Sequence, residues 1–263
     1  MRHTLVRLLF LSLMATLAAC ATVPETGRSQ LMLISPAQER DMGQREFRRM
    51  VEELPVERGT ERASLVEDVG ERIAAVAPLP DAEWEFVLFD QPETTNAFCL
   101  PGGKVGIYTG ILGLTEDEAG LATVMAHEVA HAVARHGGER LSRAMALDLG
   151  ATVVAGALGS EDPGTREAIL GAYSIGAQVG VMLPHSRANE LEADRLGLIY
   201  MARAGYDPRA AVEFWERFQA AKGEGGAPPA FLSTHPPDAQ RIRALRKQLP
   251  HALEIYRSVG GQV

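Results

Sequence analysis

Residues 115–136 read TEDEAGLATVMAHEVAHAVARH, and a helix signal and a chemical signal coincide in this one stretch. Thr115 followed by Glu118 has the form of a capping box, each side chain satisfying a free backbone N–H at a helix start. The spacing therefore predicts a helix from Thr115 to the Gly137-Gly138 pair, where glycine accepts the left-handed turn that closes a helix. Inside it lies H-E-x-x-H, formed by His127, Glu128 and His131. Residues four apart sit one turn above each other, so both imidazoles leave one face and can converge on one ion. Glu128 projects from the adjoining face, within reach of a water on that ion. Zinc suits such a set, because a catalytic zinc takes three protein ligands and keeps one position open.

A second helix is predicted in SRANELEADRLGLIYMARAG, residues 186–205, opening after Pro184 and closing at Gly205. Glu190 and Asp194 stand four apart on one face, and two like charges so placed repel. Something cationic should face them. If Glu190 is the third ligand and Asp194 accepts the second ring N–H of His127 or His131, both carboxylates are accounted for. Compensation by Arg187 or Arg195 on a solvated acidic face is the other reading.

H-E-V-A-H followed by S-R-A-N-E-L-E-A-D-R resembles the HtpX-type gluzincin metallopeptidases. NAFCLPGGKVGIYTGIL at 96–112 and FLSTHPPDAQRIRAL at 231–245 extend the resemblance over most of the chain after Gln30. The nearest branch on this reading is that of the periplasmic BepA/LoiP-like lipoproteins. The resemblance implies a mostly helical α+β, zincin-like fold with a small antiparallel sheet. It implies His127, His131 and Glu190 as ligands of one zinc ion, Glu128 as catalytic base and Asp194 as their support. It also places His235, in S-T-H-P-P, near the metal. There His235 either donates to the developing oxyanion or binds zinc as a fourth ligand and holds the enzyme latent. Arg241, a little further on, is expected to anchor that loop through a carboxylate.

Over 263 residues, 46% hydrophobic and 23% charged, the composition is that of a globular chain able to bury a core. A net charge of -8 without a Lys/Arg cluster argues against nucleic acid. MRHTLVRLLFLSLMATLAAC combines Arg2 and Arg7, an apolar run and small residues before Cys20, the pattern of a secretory signal too short to span a bilayer. Leu17-Ala18-Ala19-Cys20 resembles a bacterial lipobox, with Cys20 as the lipidated first residue. Ala21 after it favours the periplasmic face of the outer membrane. The expected division is thus a signal over 1–19, a lipidated tether over 20–34 whose GRSQLMLI portion can instead pack as an edge strand, and a single peptidase domain over 35–263. With Cys20 acylated, Cys99 has no intrachain partner.

Between these landmarks, helices are predicted from Pro36 to Pro55 and over about Thr60–Val76. WEFVLFD, NAFCL and KVGIYTG then read as an antiparallel meander. By resemblance an edge strand beside the metal receives substrate in extended form, either Lys104, Val105, Gly106, Ile107 and Tyr108 or the Asn96–Leu100 segment. Residues 139–183, rich in Ala and Gly, read as an apolar helical hairpin over the active site, interfacial membrane contact being the lesser alternative. Helices opening at Asp207-Pro208 and about Pro237 complete the chain. The function expected is a zinc-dependent endopeptidase acting on misfolded or misassembled envelope proteins. The alternative is a zinc-containing chaperone for unfolded outer-membrane proteins that seldom cuts.

Overall fold

The computed structural model describes residues 20–159, 162–221, 230–236 and 239–262. The expected signal segment 1–19 lies outside the described residues, as does Pro237. The chain clusters into two compact units, one drawn from 1–36 and 135–187 and the other from 37–134 and 188–263. The excursion between the two motif helices forms a unit of its own, together with the N-terminal segment.

In the larger unit, α1 (Pro36–Glu53) leads through β3 (Val56–Glu57) to α2 (Glu61–Ala74). Thr60 caps α2 by accepting from Ala63 N at 3.1 Å. Three strands follow, β4 (Glu85–Phe89), β5 (Ala97–Leu100) and β6 (Lys104–Tyr108). The sheet order is β3-β4-β6-β5, with β6 parallel to β4 and antiparallel to β5. The expected meander is therefore corrected to a mixed sheet. The Pro101-Gly102-Gly103 turn, with φ of 91° and 83° at its glycines, folds β6 back along β5. So reversed, β6 runs in the direction of β4 and fits between the two.

This topology also corrects the substrate strand. Lys104, Val105, Gly106 and Ile107 pair on both sides, while Tyr108 pairs with Phe89 and its N–H donates to Asn96 O. A strand so flanked has no free edge to offer a peptide. β5 is the terminal strand.

α3 (Thr109–Thr115) precedes the motif helix α4 (Glu118–Val133). The start of α4 differs from the capping-box reading. Thr115 ends α3, its hydroxyl donating to Leu112 O, and Asp117 caps α4 by accepting from Gly120 N at 2.7 Å. Helix closure differs as well: Arg135, not glycine, takes the left-handed conformation at φ 56°. Every residue from Gly120 to Ala130 is buried, so α4 is enclosed on all sides, packed against α2, β5 and α8 (Arg209–Ala221). A helix apolar all round belongs in the middle of a core. The unit ends with α9 (Ala230–Thr234) and α10 (Ala239–Ser258).

In the smaller unit, β1 (Cys20–Thr22) and β2 (Ser29–Leu31) form a two-stranded antiparallel ribbon, β2 lying in the GRSQLMLI portion for which a strand was the alternative to an extended tether. α5 (His136–Ala157) and α6 (Pro163–Ala177) make the expected hairpin, Asp162 capping α6. Tyr173 donates its hydroxyl to Leu147 O at 2.9 Å, tying one helix to the other. A π-helical segment, Gln178–Met182, then leads to α7 (Leu183–Arg203).

Candidate metal centre and catalytic site

α4 and α7 cross where Gly197 faces His127. A Cβ built on Gly197 would stand 3.1 Å from His127 N and 3.2 Å from Ala126 O, so glycine lets the two backbones approach this closely without crowding. That approach brings Glu190 and Asp194 to the imidazoles of α4. His127 Nε2 lies 3.1 Å from His131 Nε2 and 3.3 Å from Glu190 Oε2. His131 Nε2 is 3.4 Å from Glu190 Oε1.

His235, closing the turn after α9, completes the cluster. Its Nδ1 lies 3.1 Å from His127 Nε2 and 3.0 Å from Glu190 Oε2. All four side chains present a donor atom within 4.8 Å of the others. Donor atoms crowded on a common point suit a cation. The edge of a zinc tetrahedron with bonds of ~2.0–2.1 Å is about 3.3 Å, which the observed separations match. The residues therefore fit zinc. Electrostatics agree: burial alone would lower the His127 pKa, but the hydrogen bonds and charges of Asp194 and Glu190 push it up to about 9. Burial likewise opposes charge on Glu190, yet its hydrogen bonds to the three histidines hold it well below the carboxylate range.

Behind the donors, Asp194 Oδ1 lies 3.0 Å from His127 Nδ1, which leaves Nε2 for the ion. Arg241 clamps Asp194 with two bonds, Nε to Oδ2 at 2.7 Å and Nη2 to Oδ1 at 2.6 Å. Its Nη1 lies 3.2 Å from Glu190 Oε2 and 3.3 Å from Pro236 O. Burial pushes the Asp194 carboxyl up, but Arg241 and His127 outweigh it and hold it at about 2. The guanidinium also stacks 3.8 Å over Trp215. Phe231 lies parallel to Trp215 at 5.9 Å and donates its backbone N–H to Thr95 O at 2.8 Å. This aromatic floor was missed in the sequence, since Trp215 and Phe231 have no motif spacing to the ligands.

Glu128 is buried beside the cluster. Its Oε1 has no hydrogen-bond partner among the described residues and lies 3.3 Å from His235 Nε2. Burial raises its pKa, partly offset by the charges of His235 and His127. Cys99 on β5 is a free thiol, its pKa raised by burial and by the charge of Glu128.

An H-E-x-x-H helix, a carboxylate from a second helix and a small mixed sheet define a gluzincin-type zinc peptidase site. The chain belongs to peptidase family M48, which residues 60–249 match. It is 42% identical over 187 residues to mitochondrial metalloendopeptidase OMA1 of Schizosaccharomyces pombe, covering 71% of this chain and 53% of the relative. It is 31% identical over 243 residues to the human mitochondrial metalloendopeptidase OMA1, covering 88% and 46%. It is 30% identical over 234 residues to the Beta-barrel assembly-enhancing protease of Escherichia coli, covering 86% and 47%. The chain thus spans about half the length of the curated relatives it matches.

Proposed function

We propose that the chain is a zinc-dependent endopeptidase that cuts internal peptide bonds of misfolded or misassembled proteins in a bacterial envelope. The observation that carries the catalytic part is the convergence of four donor atoms beside the buried, unpartnered Oε1 of Glu128. When bound there, zinc polarises the scissile carbonyl and lowers the pKa of a water. Glu128 takes the proton of the attacking water and hands it to the leaving amine. Asp194 and Arg241 hold His127 in the tautomer that presents Nε2 to the ion. The outer edge of β5 receives the substrate as an added strand, in place of the interior β6.

Of the two roles open to His235, the geometry favours the latch. With zinc held by His127, His131 and Glu190, His235 Nδ1 would supply a fourth ligand, and a zinc site with four protein ligands is structural rather than hydrolytic. Substrate entry must therefore move His235 away. The envelope location rests on the lipobox-like Leu17–Cys20 sequence, and the substrate class on likeness to a relative whose name refers to β-barrel assembly.

Casein hydrolysis by the purified zinc-loaded chain and by Glu128→Gln tests the reading. The variant should lose about 10²–10⁴ in rate while keeping one zinc per chain. Equal turnover by both would remove Glu128 from the mechanism. No turnover by either, with zinc bound and His235→Ala also inactive, would favour the alternative of a chaperone-like binder.

A further inference from the structure

None of the four clustered donors comes from the α5–α6 hairpin or the π segment, yet among the described residues these elements carry most of the exposed large apolar side chains. On α5 these are Met145, Leu149 and Val153, four residues apart and therefore on one face. Ile175, Val179 and Leu183 repeat the spacing along the end of α6, the π segment and the start of α7. Leu149 is 66% exposed and Ile175 67%. No residue of α6 is buried. Within 149–159 and 168–184 the sequence holds no Asp, Glu, Lys or Arg. Two uncharged apolar stripes on one hairpin exceed the scattered hydrophobics that a water-facing surface tolerates.

What covers them is indicated by where the chain leads. The smaller unit that bears the hairpin also bears Cys20, at the start of β1. β2 and the residues around it are fastened to the beginning of α5. Leu33 N donates to Ser142 Oγ at 2.8 Å, Arg135 Nη2 donates to Ile34 O at 3.2 Å, and Arg28 pairs with the fully buried Glu139 at 2.8 Å. An acyl anchor on Cys20 would hold this unit, and so the hairpin, against lipid. Among the described residues no helix is long and apolar enough to cross a membrane. The available mode is to lie in the interface, apolar face down.

We propose that the α5–α6 hairpin is a membrane-contact surface, its Met145/Leu149/Val153 and Ile175/Val179/Leu183 stripes seated among the headgroups and upper acyl chains of a phospholipid bilayer. The choice of lipid as occupant rests on the proposed Cys20 anchor, so the experiment separates the two. The full chain with Leu149→Cys or Ile175→Cys is labelled with an environment-sensitive NBD fluorophore. It is then reconstituted in phosphatidylethanolamine/phosphatidylglycerol vesicles with and without doxyl-labelled lipid. Glu67→Cys, exposed on α2, is the aqueous control, and unsubstituted protein subtracts any label at Cys20. Far-UV circular dichroism verifies that the helices of each variant are intact, and zinc content that the larger unit is folded.

Both hairpin positions should show blue-shifted emission, with doxyl quenching at least threefold that at the control. Water-like emission without quenching would overturn the proposal. Blue-shifted emission without doxyl quenching would overturn it too, because it would mean that protein, such as a second copy, covers the face. Palmitate incorporation at Cys20 is scored separately. Quenching without acylation removes the anchor and leaves the hairpin contact, whereas acylation without quenching does the reverse.

Discussion

Arg241 is buried, and a lone guanidinium there would be strongly destabilising; its donors instead go to Asp194 in a bidentate pair, to Glu190 and to Pro236 O. It acts through them, setting the position of Glu190 in the donor cluster and of Asp194 behind His127. Arg241→Lys keeps the charge and loses the fork, so zinc affinity should fall by about 10–100-fold, read by competition with a chromophoric chelator. His235 is the residue whose two readings predict opposite outcomes. As a latch, His235→Ala should raise casein turnover several-fold; as an oxyanion donor it would lower it. Glu190 and Asp194 were legible in the sequence because two like charges on one helical face ask for a cation. Arg241 was legible only as a basic residue in want of a carboxylate; which carboxylate it finds depends on where α10 packs.

At the level of elements, the site is the crossing of α4 with α7, and Gly197 sets how closely they cross. A methyl group there would press on the backbone of Ala126 and His127, which sit in the middle of an enclosed helix and can yield little. Gly197→Ala should therefore lower both the thermal midpoint and zinc affinity. Gly113→Ala, on α3 with open space around it, should lower neither. Measuring both by calorimetry and metal titration separates crowding at the crossing from a general effect of glycine replacement. The sheet shows where periodicity runs out. Strand segments were recognisable from alternation, but pairing was not, because the same residues serve a meander or a mixed sheet. Only the reversal at Gly102-Gly103 places β6 inside and leaves β5 at the edge. Likewise Thr115 and Glu118 had the capping spacing, yet Asp117 caps α4 because Thr115 is still the last residue of α3.

On the scale of the whole molecule, the smaller unit depends on a charge cluster in which Glu139, fully buried, accepts from both Arg28 and Arg143. Burial pushes the Glu139 pKa up, but those two arginines outweigh it and leave it lowered. A group with a depressed folded-state pKa stabilises the fold fully above its unfolded value and ceases to as pH falls through the folded one. The unit should thus lose stability in the acid range below the ordinary glutamate pKa, with little change from there to neutrality. Glu139→Gln should cost about 2 kcal/mol at neutral pH and flatten the acid limb, followed by urea unfolding across pH. Hydrogen exchange assigns the change to 20–36 and 135–187, since the zinc cluster lies in the other unit.

Alone, the sequence determined the chemistry: the residue types, their spacing along two helices and hence which side chains of each helix share a face, all of which follow from 3.6 residues per turn. The tertiary structure decided what local periodicity cannot carry. It set the approach of α4 and α7 at Gly197, the arrival of His235 and Arg241 from distant segments, the interior place of β6 and the exposure of the hairpin. Each of these depends on long-range packing, in which one contact is chosen over equally regular alternatives by how well the whole interior fills.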